Sequence, residues 1–399
     1  MVHKDNHERR AAYHFIILLG IISLFGDITY EGARAATGPY LGLLGASAGV
    51  VGLIAGLGEF IGYGFRLLSG YLADKTKAYW AFTIAGYGLI FAIPLLGFAK
   101  IWQVAAIFII TERFGKALRT PARDTILSYA TSQVGRGWGF GIHEALDQIG
   151  AIIGPLLFSF VFMANQNYRD AFSILWIPAI LTLIAVIIAR NRFPHPVKLE
   201  DKNKSSISNA KGSKKFSKAF WAYGLFTFVS VTGFANFQLI SYHLVTQSIV
   251  PASHIPIFYA IAMGVDAAVA LAIGKIYDKV GFKSLLAIPL FTLPLPFLGF
   301  SSNYSAAFVG AIIWGTVMGI HETIMRAAIA DIIPLKSRGS GYGIFNTLYG
   351  LAWFAGGGLM GLFYDISLPY LIVFSVSMEL ISMLIFISCR KIWPGYYAR

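Results

Sequence analysis

Charge is scarce in this chain. Of 399 residues only 13% are Asp, Glu, Lys or Arg, while 56% are hydrophobic. Soluble domains carry about 25% charged residues, so half that fraction excludes a water-facing globule and points to lipid as the solvent. Acids are the scarcer sign, 19 against 32 basic residues, for a net charge of +13. The basic residues gather in particular loops rather than on one face, which argues against nucleic acid as a partner. Cys389 is the sole cysteine, so no internal disulfide can form. No Gly-rich phosphate loop with Lys and Ser/Thr is present, which excludes an ATP-driven engine. A G-x-S-x-G elbow, an H-E-x-x-H zinc site and a cysteine cluster are also missing. His143-Glu144 and His321-Glu322 each lack the second histidine four residues on. The sequence therefore predicts no enzyme, no cofactor and no resident metal.

What is present is long apolar runs. Mean hydropathy is +0.66, and crossing a hydrocarbon core takes roughly 20 apolar residues. No charge occurs between Lys77 and Lys100, between Asp170 and Arg190, or from Leu285 to Phe300. The runs predict helices over 14–40, 46–72, 79–99, 102–130, 137–163 and 168–190. A second set is predicted over 219–246, 254–277, 284–301, 304–332, 339–363 and 367–389. The first run follows Lys4, Arg9 and Arg10 with no small-residue cleavage site, so it reads as a retained helix rather than a signal peptide. Residues 1–190 and 219–399 form two six-helix halves. Between them, 191–218 is rich in Lys, Ser and Asn and reads as a flexible cytoplasmic linker.

Orientation follows from the loops. One side carries Arg9, Arg10, Lys75, Lys77, Arg136, the linker, Lys279, Lys283, Lys336, Arg338, Arg390 and Lys391. The other offers Lys100 and Arg169. The positive-inside rule predicts cytoplasmic termini and linker, in an inner (plasma) membrane of bacterial type.

The halves repeat each other. Gly70-Tyr-Leu-Ala-Asp74-Lys75 follows the second run, and Gly274-Lys-Ile-Tyr-Asp278-Lys279 follows the eighth. Arg136-Gly-Trp-Gly-Phe-Gly-Ile opens the fifth run; Arg338-Gly-Ser-Gly-Tyr-Gly-Ile opens the eleventh. On these motifs the chain resembles the major facilitator superfamily over essentially its whole length. Gly70 to Lys77 is similar to that family's loop G-x-x-x-D-[RK]-x-x-[RK]. Its echo at Gly274 to Lys283 keeps an inner glycine, Gly281, where the first copy has Thr76 or Lys77. Gly141, Gly150, Gly154 and Pro155 resemble the opening of an antiporter pattern in helix 5, though Phe158 and Ser159 replace its closing glycines. The resemblance implies an all-α membrane protein with twelve transmembrane helices in two six-helix pseudo-symmetric halves. It implies a secondary transporter that moves a small solute by alternating access and functions as a monomer in the lipid bilayer. It also implies that helices 3, 6, 9 and 12 face lipid.

Ionisable groups at membrane depth are costly and mark function by default. Helix 1 places Asp27, Glu31 and Arg34 on one face. A carboxylate there can hold a proton, a cation or a cationic substrate; the plain alternative is an ion pair that only joins helices. Glu59 lies among helix 2 glycines that also serve packing. Helix 4 carries a stripe of Glu112, Lys116, Arg119 and Arg123, with Arg113 beside Glu112. Helix 5 offers His143, Glu144 and Asp147; helix 10 offers His321, Glu322 and Arg326. Histidine beside carboxylate suits a proton relay or a divalent metal substrate, and equally a simple hydrogen bond. Asp266 in helix 8 joins these acids. Asn236, Gln238, Tyr242, His243 and Asn346 on helices 7 and 11 are candidates for recognising an organic solute, or packing groups. Gating is expected of Asp74, Lys75, Arg119, Arg123 and Arg136, with Asp278, Lys279 and Arg338 as the second copy. The buried acids favour protons as the coupling ion, and the helix 5 pattern favours export. An uncoupled facilitator and a divalent metal carrier remain as alternatives.

Overall fold

A computed structural model describes residues 2–199, 216–333 and 338–393, without the side chains of 2–8, 136–137, 198, 326, 330 and 338–340. Within those residues the chain forms twelve helical runs. They are α1 (Val2–Leu43), α2 (Ala48–Thr76), α3 (Tyr79–Phe98), α4 (Trp102–Val134), α5 (Arg136–Asn165) and α6 (Tyr168–Arg192), then α7 (Lys218–Thr246), α8 (Ile255–Val280), α9 (281–299), α10 (Tyr304–Ile332), α11 (Arg338–Ile366) and α12 (Leu368–Ser388). Hydropathy and length alone recover nine spans, with α8 and α9 merged into one. The runs left out are α4, interrupted by Glu112, Arg113, Lys116, Arg119, Arg123 and Asp124, and glycine-rich α11.

Two compact units emerge from packing. One comprises Met1–Ala33, Phe65–Ala99 and Ile107–Asn209; the other comprises Arg34–Gly64, Lys100–Ala106 and Ala210–Arg399. The second unit thus takes in the end of α1 and the start of α2 along with the C-terminal helices.

Glycine sets the helix spacing in each unit, because a missing Cβ lets backbones approach closely. In the first unit a Cβ on Gly154 of α5 would stand 2.5 Å from Ile28 O of α1. In the second a Cβ on Gly356 of α11 would stand 2.5 Å from Thr232 O of α7. The register set by Arg136 and Arg338 superposes these two glycines, so the internal repeat is a repeat of packing. The loop motif repeats less evenly. Gly281 has φ +59°, and Lys77, three residues after Asp74 as Gly281 is after Asp278, has φ +55°. A side chain held at positive φ costs about 1 kcal/mol, which explains the glycine in the second copy.

The start of the linker is tied down. Phe193 O accepts a hydrogen bond from Trp80 Nε1 at 3.1 Å, and the Phe193 ring lies 4.8 Å from that of Phe15. Residues 200–215, which hold Lys202, Lys204, Lys211, Lys214 and Lys215, lie outside the described residues.

Candidate functional site

In the first unit α1, α3, α4 and α5 assemble a polar network. Ser23 of α1 is its hinge point. Its Oγ lies 2.9 Å from His143 Nε2, accepts from Arg123 Nη1 at 2.9 Å, and lies 3.3 Å from Tyr87 OH. Arg123 also donates through Nε and Nη2 to Asp124 Oδ1, both at 3.0 Å, and reaches Asp147 Oδ1 at 4.0 Å. One turn along α4, Arg119 Nη2 donates to Glu112 Oε1 at 3.1 Å, and Arg113 Nε lies 3.3 Å from Glu112 Oε2. Glu112, Arg113 and Arg119 are all buried, so each charge depends on its partner.

Cations stack on aromatic faces in the same network. The Arg113 guanidinium and Lys116 Nζ lie 4.0 and 4.2 Å from the Tyr30 ring centre. Arg119 lies 5.0 Å from that of Tyr87. Such contacts are worth more when desolvated. Asp27, half-buried on α1, interacts electrostatically with Asp147, Lys116, Glu31 and Arg119. His143 is buried while its neighbour Glu144 is exposed, as the 100° turn between adjacent helical residues requires.

Several expectations meet a different arrangement. Arg119 and Arg123 are engaged by Glu112, Asp124 and Ser23, apart from Asp74, which accepts from Tyr79 OH at 3.0 Å. The reason is geometric. Asp74 sits exposed at the end of α2, with Lys75, whereas the arginines point into the unit. Arg34 of α1 meets Glu59 of α2 at 2.7 Å, an interhelical pair inside the second unit. Asp278 and Lys279 are exposed at the end of α8. The neighbouring Tyr277 donates to Asp331 of α10 at 2.8 Å. The side chains of Arg136, Arg326 and Arg338 lie outside the described residues.

The second unit is aromatic where the first is charged. Helix α7 breaks between Gly233 and Phe237, and Asn236 Oδ1 caps the continuing helix by accepting from Leu239 N at 2.8 Å. Trp314 of α10 holds the break from the side, donating from Nε1 to Ala235 O at 3.0 Å. The Phe234 ring stands 5.8 Å from Trp314, 5.2 Å from His321 and 5.4 Å from Trp353. Tyr349 OH lies 3.4 Å from His321 Nδ1. Buried Asn236 Nδ2 and His321 Nε2 have no hydrogen-bond partner among the described residues. Asp266 is buried against Gly319 of α10; Glu322 and Asn346 are half-buried. Gln238 and Tyr242 crowd Gly38 and Gly42 of α1, and His243 Nδ1 lies 2.8 Å from Tyr364 OH. Among the described residues no group of three or more His, Cys, Asp or Glu side chains forms a metal-holding cluster.

Sequence reasoning missed Ser23, Tyr87, Tyr30 and Tyr364. Ser23 lies one turn before Asp27 on the same face, a signal that spacing offers. Tyr87 lies in a charge-free helix and gives none.

Twelve helices, an internal repeat of packing and charged side chains held inside describe a membrane transporter of two related halves. Residues 16–388 match the sequence profile of the Major Facilitator Superfamily, and the chain belongs to that family. An uncharacterized protein of Mycobacterium tuberculosis is 39% identical over 384 residues, covering 95% of this chain and 94% of its own. An uncharacterized MFS-type transporter of Methanocaldococcus jannaschii is 28% identical over 395 residues, 96% of each chain. Among solved structures, a point-mutant form of the nucleoside transporter NupG superposes with a TM-score of 0.74 at 16% identity. It covers 93% of this chain and all of its own, which is a likeness of fold.

Proposed function

We propose that this protein is a proton-coupled secondary transporter in the bacterial inner membrane, moving a small solute by alternating access, with Asp27 as the coupling carboxylate. The observation that carries the reading is the surroundings of Asp27. It is half-buried on α1, within electrostatic reach of two acids, Asp147 and Glu31, and two bases, Lys116 and Arg119. A carboxylate in that setting can exchange a proton against the fixed cations without leaving a lone buried charge. Ser23, one turn before Asp27 on α1, meets His143 of α5 and Arg123 of α4, which suits a relay. The Asn236–His321 region of the second unit, with buried polar atoms among aromatic rings, suits recognition of an organic solute.

The test begins with solutes that raise the thermal midpoint of the purified protein, because a native-state binder stabilises it. Flux of such a solute is then followed in proteoliposomes with and without an imposed pH gradient. Wild type should accumulate it at least about tenfold over the gradient-free control, the size expected if coupling contributes about 1.4 kcal/mol. Asp27→Asn should lose that accumulation and keep exchange down the solute gradient. Flux that ignores the pH gradient identifies an uncoupled facilitator instead. The same vesicles report direction. In the antiporter-like pattern, Gly150 and Gly154 seat α5 on the backbone of α1.

A further inference from the structure

Asp365, the penultimate residue of α11, makes a contact that belongs to neither polar network. Its Oδ1 accepts from Ala48 N at 3.0 Å and its Oδ2 accepts from Gly49 N at 2.8 Å. These amides are the first of α2, donors that the helix itself cannot satisfy. A carboxylate there also meets the positive end of the helix dipole. Below this clasp α2 and α11 run backbone against backbone. A Cβ on Gly361 would stand 2.5 Å from Ala48 O, one on Gly357 would stand 2.6 Å from Gly52 O, and one on Gly56 would stand 2.6 Å from Trp353 O. The seam is close, while Asp365 itself is exposed at its rim. The clasp can therefore open to water without stranding a buried charge.

We propose that Asp365 is the latch that holds α2 to α11 at the membrane face away from the linker, and so sets the balance between closed and open states of that face. The proposal rests on the transport reading above, since a carrier must part these helices once per cycle for that face to open. Parting them breaks both charge-assisted hydrogen bonds together with the glycine seam. The device is one-sided. In the register of Arg136 and Arg338, the residue matching Asp365 in the first half is Met163, which offers no acceptor of this kind.

The experiment places spin labels on the exposed positions Leu53 of α2 and Tyr370 of α12, in a Cys389→Ser background. Distances are measured by double electron–electron resonance in lipid nanodiscs without solute. Asp365→Asn and Asp365→Ala should move the closed-to-open ratio about three- to tenfold toward the longer distance. Asp365→Glu keeps a carboxylate and should stay within about twofold of wild type. An unchanged distribution in both Asn and Ala variants overturns the latch, and so does a Glu variant that opens as far as Ala. Proteoliposome flux of the wild type judges the transport reading separately, so the two can fail independently.

Discussion

The two units use buried polarity in opposite ways. The first concentrates charge: Glu112 serves Arg119 and Arg113, Arg123 serves Asp124 and Ser23, and Asp27 faces acids and bases together. The second unit spreads its polarity thinly among rings. His321 and Asn236 stand among Phe234, Trp314, Tyr349 and Trp353. Glu379 of α12 is fully buried against α7, where Ser230 donates to its Oε2 at 2.9 Å and Ser382 lies at 3.3 Å. Carboxylates that share cations can change partners, whereas Glu379 is held by two serine hydroxyls. Under the reading proposed above, the first unit is the one suited to coupling, and the second to recognition and scaffold.

The largest expected effect comes from breaking the charged network. Glu112→Ala leaves Arg119 and Arg113 buried without their carboxylate, a loss of about 3–5 kcal/mol. Thermal unfolding in detergent should show it as a steep drop in midpoint. Adding Arg119→Met should recover part of the loss; a double variant as unstable as the sum of the singles would show the pair to be independent.

A medium effect tests the feature that the units share. Gly154→Ala and Gly356→Ala each drive a methyl against a neighbouring backbone carbonyl at 2.5 Å. Overpacking of this kind costs about 1–3 kcal/mol. Matching midpoint shifts for the two variants are expected. A large shift in one and none in the other would mean that the sequence repeat does not carry the packing.

The smallest effect separates structural from coupling acids. Glu379→Gln supplies an amide oxygen as an acceptor for Ser230 and should leave flux within about twofold of wild type. If it abolishes gradient-driven flux, the division between a coupling unit and a scaffold unit falls.

Much of this was written along the chain. The scarcity of charge, the charge-free runs and the repeated Arg-Gly and Gly-to-Asp motifs specified a twelve-helix membrane fold, because lipid allows few ways to satisfy a backbone. Helical spacing also set Glu112, Lys116, Arg119 and Arg123 in one stripe along α4, of which Glu112 and Arg119 are buried. It predicted single helices where α7 breaks at Asn236, since hydropathy does not register a side-chain cap. Partners were beyond its reach. That Arg34 meets Glu59, that Ser23 joins Arg123 to His143, and that Asp365 clasps α2 depend on residues tens to hundreds of positions apart. Period and composition give each residue a face on its own helix; which helix meets that face is decided by glycine contacts and packing, and only the tertiary structure contains them.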